Sequence, residues 1–223
     1  MRGRRSDEPR GAATARAQFE QPKTVAAGLF RSLIEGLSDD QRWIILDLGP
    51  VHQRTLALLE GKRCMLTVVD LASELDGRGT VEANECAAML ELPAVLNAER
   101  ADVVFCWDLL NYFDRTSLRA LMASVAERCR SGALVHALVV YSERVMHDRP
   151  GQLVPVDAGT FIDVAAAKPI RPAPRYSTEA LVEAMPDYTV ERVRLLGNGM
   201  QEYLFRIRGV RGAVDGGAAV AVG

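Results

Sequence analysis

The four cysteines of this 223-residue chain, Cys64, Cys86, Cys106 and Cys129, stand far apart, with no CxxC pair and no histidine at metal-ligand spacing. That excludes a disulfide scaffold and the common zinc patterns. Three of the four lie in apolar runs and read as buried, reduced, small hydrophobes. A dominant charge is missing too: 27 Lys and Arg stand against 29 Asp and Glu, for a net −2. No global field then favours nucleic acid or an anionic membrane surface. No apolar stretch approaches the ~20 residues needed to cross a bilayer. The N-terminal arginines have no apolar core behind them, so the segment does not read as a secretory signal, and Asp7 and Glu8 speak against a transit peptide. The cytoplasm is the expected location.

What remains is the composition of an ordinary soluble globular protein, 48% hydrophobic and 25% charged. The length allows one α/β domain with a sizeable core, and not two. Residues 1–20 read as a disordered arm, 21–210 as the folded domain and 211–223 as a flexible, low-complexity tail.

Apolar residues at Val25, Leu29 and Leu33, flanked by Ala26, Phe30 and Ile34, have helical spacing and predict an amphipathic helix over about 22–37. Trp43 to Leu48 is apolar nearly throughout, as a parallel strand covered on both faces should be. Cys64 to Val69 is a second strand, Glu85 to Leu92 a third strand or a helix, and Ala101 to Trp107 a further strand. Asp114 caps a helix bearing Leu118, Leu121, Met122, Val125 and Cys129, ended by Ser131-Gly132. Ala133 to Tyr141 is the next buried strand. Ser177 caps a short helix carrying Leu181, Val182 and Met185. Two last strands, Thr189–Leu196 and Glu202–Arg208, are joined by Gly197-Asn198-Gly199. This alternation predicts an α/β fold: a doubly wound, mostly parallel seven-stranded sheet with a terminal antiparallel hairpin.

Four details converge within that frame. They are the turn Asp47-Leu48-Gly49, the acid ending Val68-Val69-Asp70, the segment Asp102-Val103-Val104 followed by Asp108-Leu109-Leu110-Asn111-Tyr112, and the closing hairpin. Together, over about residues 20–208, they resemble the class I S-adenosylmethionine-dependent methyltransferases. The resemblance implies a Rossmann-like fold, S-adenosylmethionine as cofactor, and methyl transfer to an O or N atom of a small molecule. It implies that Gly49, with Pro50 beside it, approaches the methionine part of the donor, and that Asp47 orients the loop or the donor's amino group. Asp70 would accept from the two ribose hydroxyls, and Trp107 and Asp108 would line the crevice where acceptor meets donor.

The turn departs from the family pattern. It reads Gly49-Pro50-Val51-His52-Gln53-Arg54, with Val51 and Gln53 where later glycines would fall. A β-branched residue is unfavourable at positive φ, and Pro50 fixes φ and removes a donor. The third-strand acid has no clear match, Glu85 and Glu91 being out of register. The alternative is therefore a decayed donor site on a fold that serves as a protein-binding or scaffold module. The absence of GxGxxG argues against a nicotinamide enzyme.

Several of these residues have simpler readings. Asp70 also reads as a cap of the turn after its strand, and Asp108 as the start of the next helix or loop. His52 is either a base near its ordinary pKa or a plain loop histidine; His136 reads as a satisfied core side chain. Glu143 to Tyr176 holds half of the ten prolines and leaves the sheet from its carboxyl edge. A connection this long is either a functional cover or a disordered segment; as a cover it would form a lid over the acceptor, with Tyr141, His147 and Tyr176 as contacts. Lys168, Arg171 and Arg175 form a small positive cluster that either attracts an acidic substrate or partner or is solvated charge.

Overall fold

A computed structural model describes residues 23–75, 99–150, 152–164 and 170–209. The arm, the tail, Glu85–Leu92 and Lys168 lie outside the described residues. The order is β1 (Lys23–Ala26), α1 (Gly28–Glu35), β2 (Trp43–Asp47), α2 (Gln53–Leu58), β3 (Cys64–Val68), α3 (Leu71–Leu75) and β4 (Ala101–Trp107). A 3-10 turn (Leu109–Tyr112) leads into α4 (Arg115–Glu127) and β5 (Cys129–Val140). Then come β6 (Val145–His147), β7 (Gln152–Asp157), β8 (Thr160–Val164) and β9 (Ile170–Pro172), followed by α5 (Thr178–Ala184), β10 (Tyr188–Leu195) and β11 (Met200–Ile207).

The main sheet has the order β10-β11-β5-β4-β2-β3. Neighbours among β3, β2, β4 and β5 are parallel, while β11 is antiparallel to both β5 and β10. The sequence predicts seven strands; among the described residues the main sheet has six and is mixed. Side chains alternate between its faces. Ile44, Leu46, Val104, Cys106, Val135 and Ala137 join the core with α3, α4 and α5. Ile45, Val103, Phe105, Trp107 and Leu138 join the core with α1. Each fully buried Ile, Leu, Val or Phe among them contributes about 1.5–3 kcal/mol. Helices thus pack on both faces of the mixed sheet.

The expected caps are present. Asp114 accepts from the N–H groups of Thr116 and Ser117 at 2.8 and 2.9 Å, and Ser177 from that of Ala180 at 3.2 Å. Cys106 and Cys129 are buried free thiols, and burial pushes Cys129 up to about 12. Among the described residues no helix is long and apolar enough to cross a membrane.

Three expectations need correction. The helix predicted from about residue 22 begins only at Gly28, because Lys23–Ala26 pairs with Asp163–Thr160 of β8, placing Val25 opposite Phe161. Cys129 is the first residue of β5 and not the last of a helix: α4 closes at Arg128, and Gly132, at φ +83°, lies inside the strand. The stretch after β5 is built of strands. β7 and β8 pair with each other and β8 with β1, while β6 pairs with β9. Its prolines permit this because Pro155 lies on the edge strand β7 and Pro172 on one strand of a two-stranded ladder, where a missing N–H costs little.

Candidate functional site at the carboxyl edge

Strand β2 ends in Asp47, which is buried at 1% exposure. Its Oδ1 accepts from the Gly49 N–H at 2.9 Å and from the Trp107 indole Nε1 at 2.5 Å. Burial raises its pKa to about 7; the bonds from Trp107 and Gly49 pull the other way, and the nearby charge of Asp70 adds to the rise. Trp107 ends β4 at φ +51°, a conformation unfavourable for a bulky side chain, and it is itself buried. A Cβ at position 49 would stand 2.5 Å from its Cδ1, so glycine is required there by the indole of the chain itself. That indole packs on Phe30, Phe105 and Phe161 at ring-centroid distances of 5.7, 5.7 and 5.4 Å.

Asp70 follows β3 and caps the start of α3. Its Oδ1 accepts from the Ser73 N–H at 2.9 Å and its Oδ2 from the Ser73 hydroxyl at 2.6 Å. His52 stands before α2, with its Nε2 buried and without a hydrogen-bond partner. Burial lowers its pKa, against the opposing charge of Asp70. Asp70 is thus within electrostatic reach of both Asp47 and His52. Pro50 is half-buried and Val51 is 62% exposed. Asp108 follows β4; its backbone carbonyl accepts from the Asn111 amide at 2.7 Å, and its carboxylate faces the Tyr112 hydroxyl at 3.4 Å.

The strands after β5 reach the same edge. A cleft of about 510 Å³ is lined by residues from α3, the 3-10 turn, β9 and the segment before α5, among them Tyr112, Arg171 and Tyr176. A smaller cavity beside it is lined by Asp108, Tyr112, His147 and Met200. Of the three residues read as lid contacts, Tyr176 and His147 therefore line these cavities, while Tyr141 is 45% exposed. Of the positive cluster, Arg171 lines the cleft and Arg175 is exposed at φ +47°.

No family model matches the chain, and no curated protein does. Solved structures do. One comes from a study of the conversion of a disulfide bond into a thioacetal group during echinomycin biosynthesis (19% identity, TM-score 0.50, 84% of this chain and 83% of that one). A second is Burkholderia thailandensis 1,6-didemethyltoxoflavin-N1-methyltransferase with bound 1,6-didemethyltoxoflavin and S-adenosylhomocysteine (15%, TM-score 0.45, 93% of each chain). A third is magnesium protoporphyrin IX methyltransferase from Synechocystis PCC 6803 with bound S-adenosylmethionine (10%, TM-score 0.47, 94% and 87%). With the strand order and the reversed β11, the likeness to the first of these supports an α/β architecture built on a mixed central sheet. The chain has a class I methyltransferase-like fold. At these identities the likeness speaks of the fold alone.

On this methyltransferase-like scaffold, two polar side chains that the sequence reading passed over hold the edge together. Asn111, 1% exposed, donates to the carbonyls of Asp108 and Leu138 and accepts from the Val140 N–H at 2.8 Å, tying the β4 exit to β5. Glu202, fully buried on β11, accepts from the N–H groups of Leu29 and Phe30 at 2.9 and 2.8 Å and meets His136 Nε2 at 3.0 Å. It supplies the anion that the start of α1 lacks locally, since Ala27 has no capping side chain. A lone amide inside an apolar run was the available signal for Asn111, whereas Glu202 follows Gln201 at the start of its apolar run and carried no such signal. His136 is a core residue, as its sequence context suggests.

Proposed function

We propose that the chain transfers a methyl group from S-adenosylmethionine to an O or N atom of a small molecule held at the carboxyl edge of the sheet. The observation that most supports this is convergence. The ends of β2, β3 and β4 bring Asp47, Gly49, Pro50, Asp70, Trp107 and Asp108 to one edge, and the elements that follow β3 and β4 give Leu75 and Tyr112 to a cleft of about 510 Å³ that none of those six lines. The cofactor, when bound, supplies an electrophilic methyl group. The protein's part is to align the acceptor and exclude water.

The residues present fit one half of the donor. Each Asp70 oxygen has one partner in Ser73, and a carboxylate offers about four lone-pair sites, so ribose hydroxyls can still donate to it. The methionine half does not fit the turn as it stands, because the Trp107 indole lies against Gly49. A second reading rests on that closure: the donor position has decayed, and the fold serves as a protein-binding or scaffold module.

Calorimetric titration with S-adenosylhomocysteine separates the two. The methyltransferase reading expects micromolar binding, weakened about tenfold in Asp70→Ala as ribose hydrogen bonds are lost. Absence of binding at millimolar ligand, in the wild type and in a variant with the indole removed, leaves only the scaffold reading.

A further inference from the structure

The larger cleft has a composition that selects among small molecules, and its volume of about 510 Å³ is that of an ordinary ligand site. One wall is aromatic. Tyr112 and Phe113 come from the turn after β4, and Tyr176 from the segment before α5. The Tyr176 hydroxyl donates to the Phe113 carbonyl at 2.6 Å, so what Tyr176 offers the cleft is its ring.

The polar groups are of two kinds. Arg171 is half-buried on β9, and among the described residues no carboxylate pairs with its guanidinium. A half-buried planar fork without an anion, held on a paired strand, suits a bidentate oxyanion, and a planar carboxylate matches its geometry. Asp114 also lines the cleft. Its Oδ1 is filled by the Thr116 and Ser117 N–H groups, whereas its Oδ2 receives the Ser117 hydroxyl at 3.1 Å and keeps room for one more donor. Asp148 and Arg149, both exposed, add charges of opposite sign that cancel.

We infer that the cleft binds an aromatic carboxylic acid bearing a hydroxyl or amino group. The carboxylate meets Arg171, the ring lies against Tyr112, Phe113 and Tyr176, and the hydroxyl or amine donates toward Asp114. This names the class of methyl acceptor, and it rests on reading the carboxyl edge as a small-molecule site.

The test is calorimetry with para-hydroxybenzoate, its neutral isostere para-hydroxybenzamide, and benzoate. The acid is expected to bind at least about tenfold more tightly than the amide, the usual margin of a charge-assisted bond, and more tightly than benzoate. Arg171→Met is expected to erase the preference for the acid and Arg171→Lys to keep part of it, with circular dichroism confirming that each variant is folded. Equal binding of acid and amide by the wild type, an unchanged preference in Arg171→Met, or no binding of para-hydroxybenzoate at millimolar concentration would each overturn the inference. S-adenosylhomocysteine is titrated separately. Binding of that ligand without binding of the acid sinks this inference alone, and the reverse sinks methyl transfer alone.

Discussion

Replacing Glu202 by alanine removes one carboxylate and strands three buried partners. These are the Leu29 and Phe30 N–H groups at the start of α1 and the His136 imidazole on β5. Each buried polar group left unsatisfied costs about 1–3 kcal/mol, and partial relaxation reduces their sum. Breaking a buried pair by deleting one member costs about 3–5 kcal/mol, so we expect a loss of about 4 kcal/mol for Glu202→Ala. Glu202→Gln keeps one acceptor oxygen and should lose about half as much. Urea unfolding at neutral pH measures both, provided the slope against denaturant is unchanged. The pH dependence adds a sign. Burial alone would raise the Glu202 pKa; the bond to His136, the imidazole charge and the two backbone N–H groups outweigh it and hold the carboxyl below its ordinary range. A native pKa below the unfolded one gives stabilisation that is complete above the unfolded value of 4.5 and fades as pH falls through the native value. The gap between wild type and Glu202→Gln should therefore hold at neutral pH and close as pH falls below 4.5. A cost below about 1 kcal/mol for Glu202→Ala would refute this account of how α1 is fastened to the sheet.

Asp47 has the opposite sign: its native pKa of about 7 lies above the ordinary 3.8, so its contribution is most favourable at low pH and is lost as pH rises through 7. Asp47→Asn should flatten the decline in stability between those values, and a change in tryptophan fluorescence with a midpoint near 7 should vanish with it, because the carboxylate bonds the Trp107 indole. Asn111→Ala removes three buried hydrogen bonds and should cost about 3 kcal/mol in thermal unfolding; a shift in Tm of under about 2 °C would show that water replaces the amide.

Local chemistry was readable from the chain, and long-range pairing was not. The apolar runs gave β2 and β4 nearly to the residue, Asp114 and Ser177 announced their helices, and the glycines at 197 and 199 marked the final hairpin. β1 was invisible because Thr24 and Val25 become a strand only when β8, more than a hundred residues later, lies beside them. The proline-bearing strands after β5 were hidden for a related reason: an edge strand tolerates residues that read locally as breakers. For the site, the sequence located Asp47, Gly49, Asp70, Trp107 and Asp108 at strand ends. It did not reveal that Trp107 would turn back at positive φ onto Gly49 and bond Asp47, since each partner lies on a different strand. The capping role of Asp70 was one of the two readings that its place at the strand end allowed.

The crevice beside Gly49 should admit S-adenosylmethionine once the Trp107 indole is moved aside. Titration of wild type, Trp107→Phe and Trp107→Ala with S-adenosylhomocysteine, each checked for folding, addresses it most directly. Affinity should rise as the side chain shrinks and fall again when Asp70→Ala is added. No binding by any of the folded variants at millimolar ligand would contradict it.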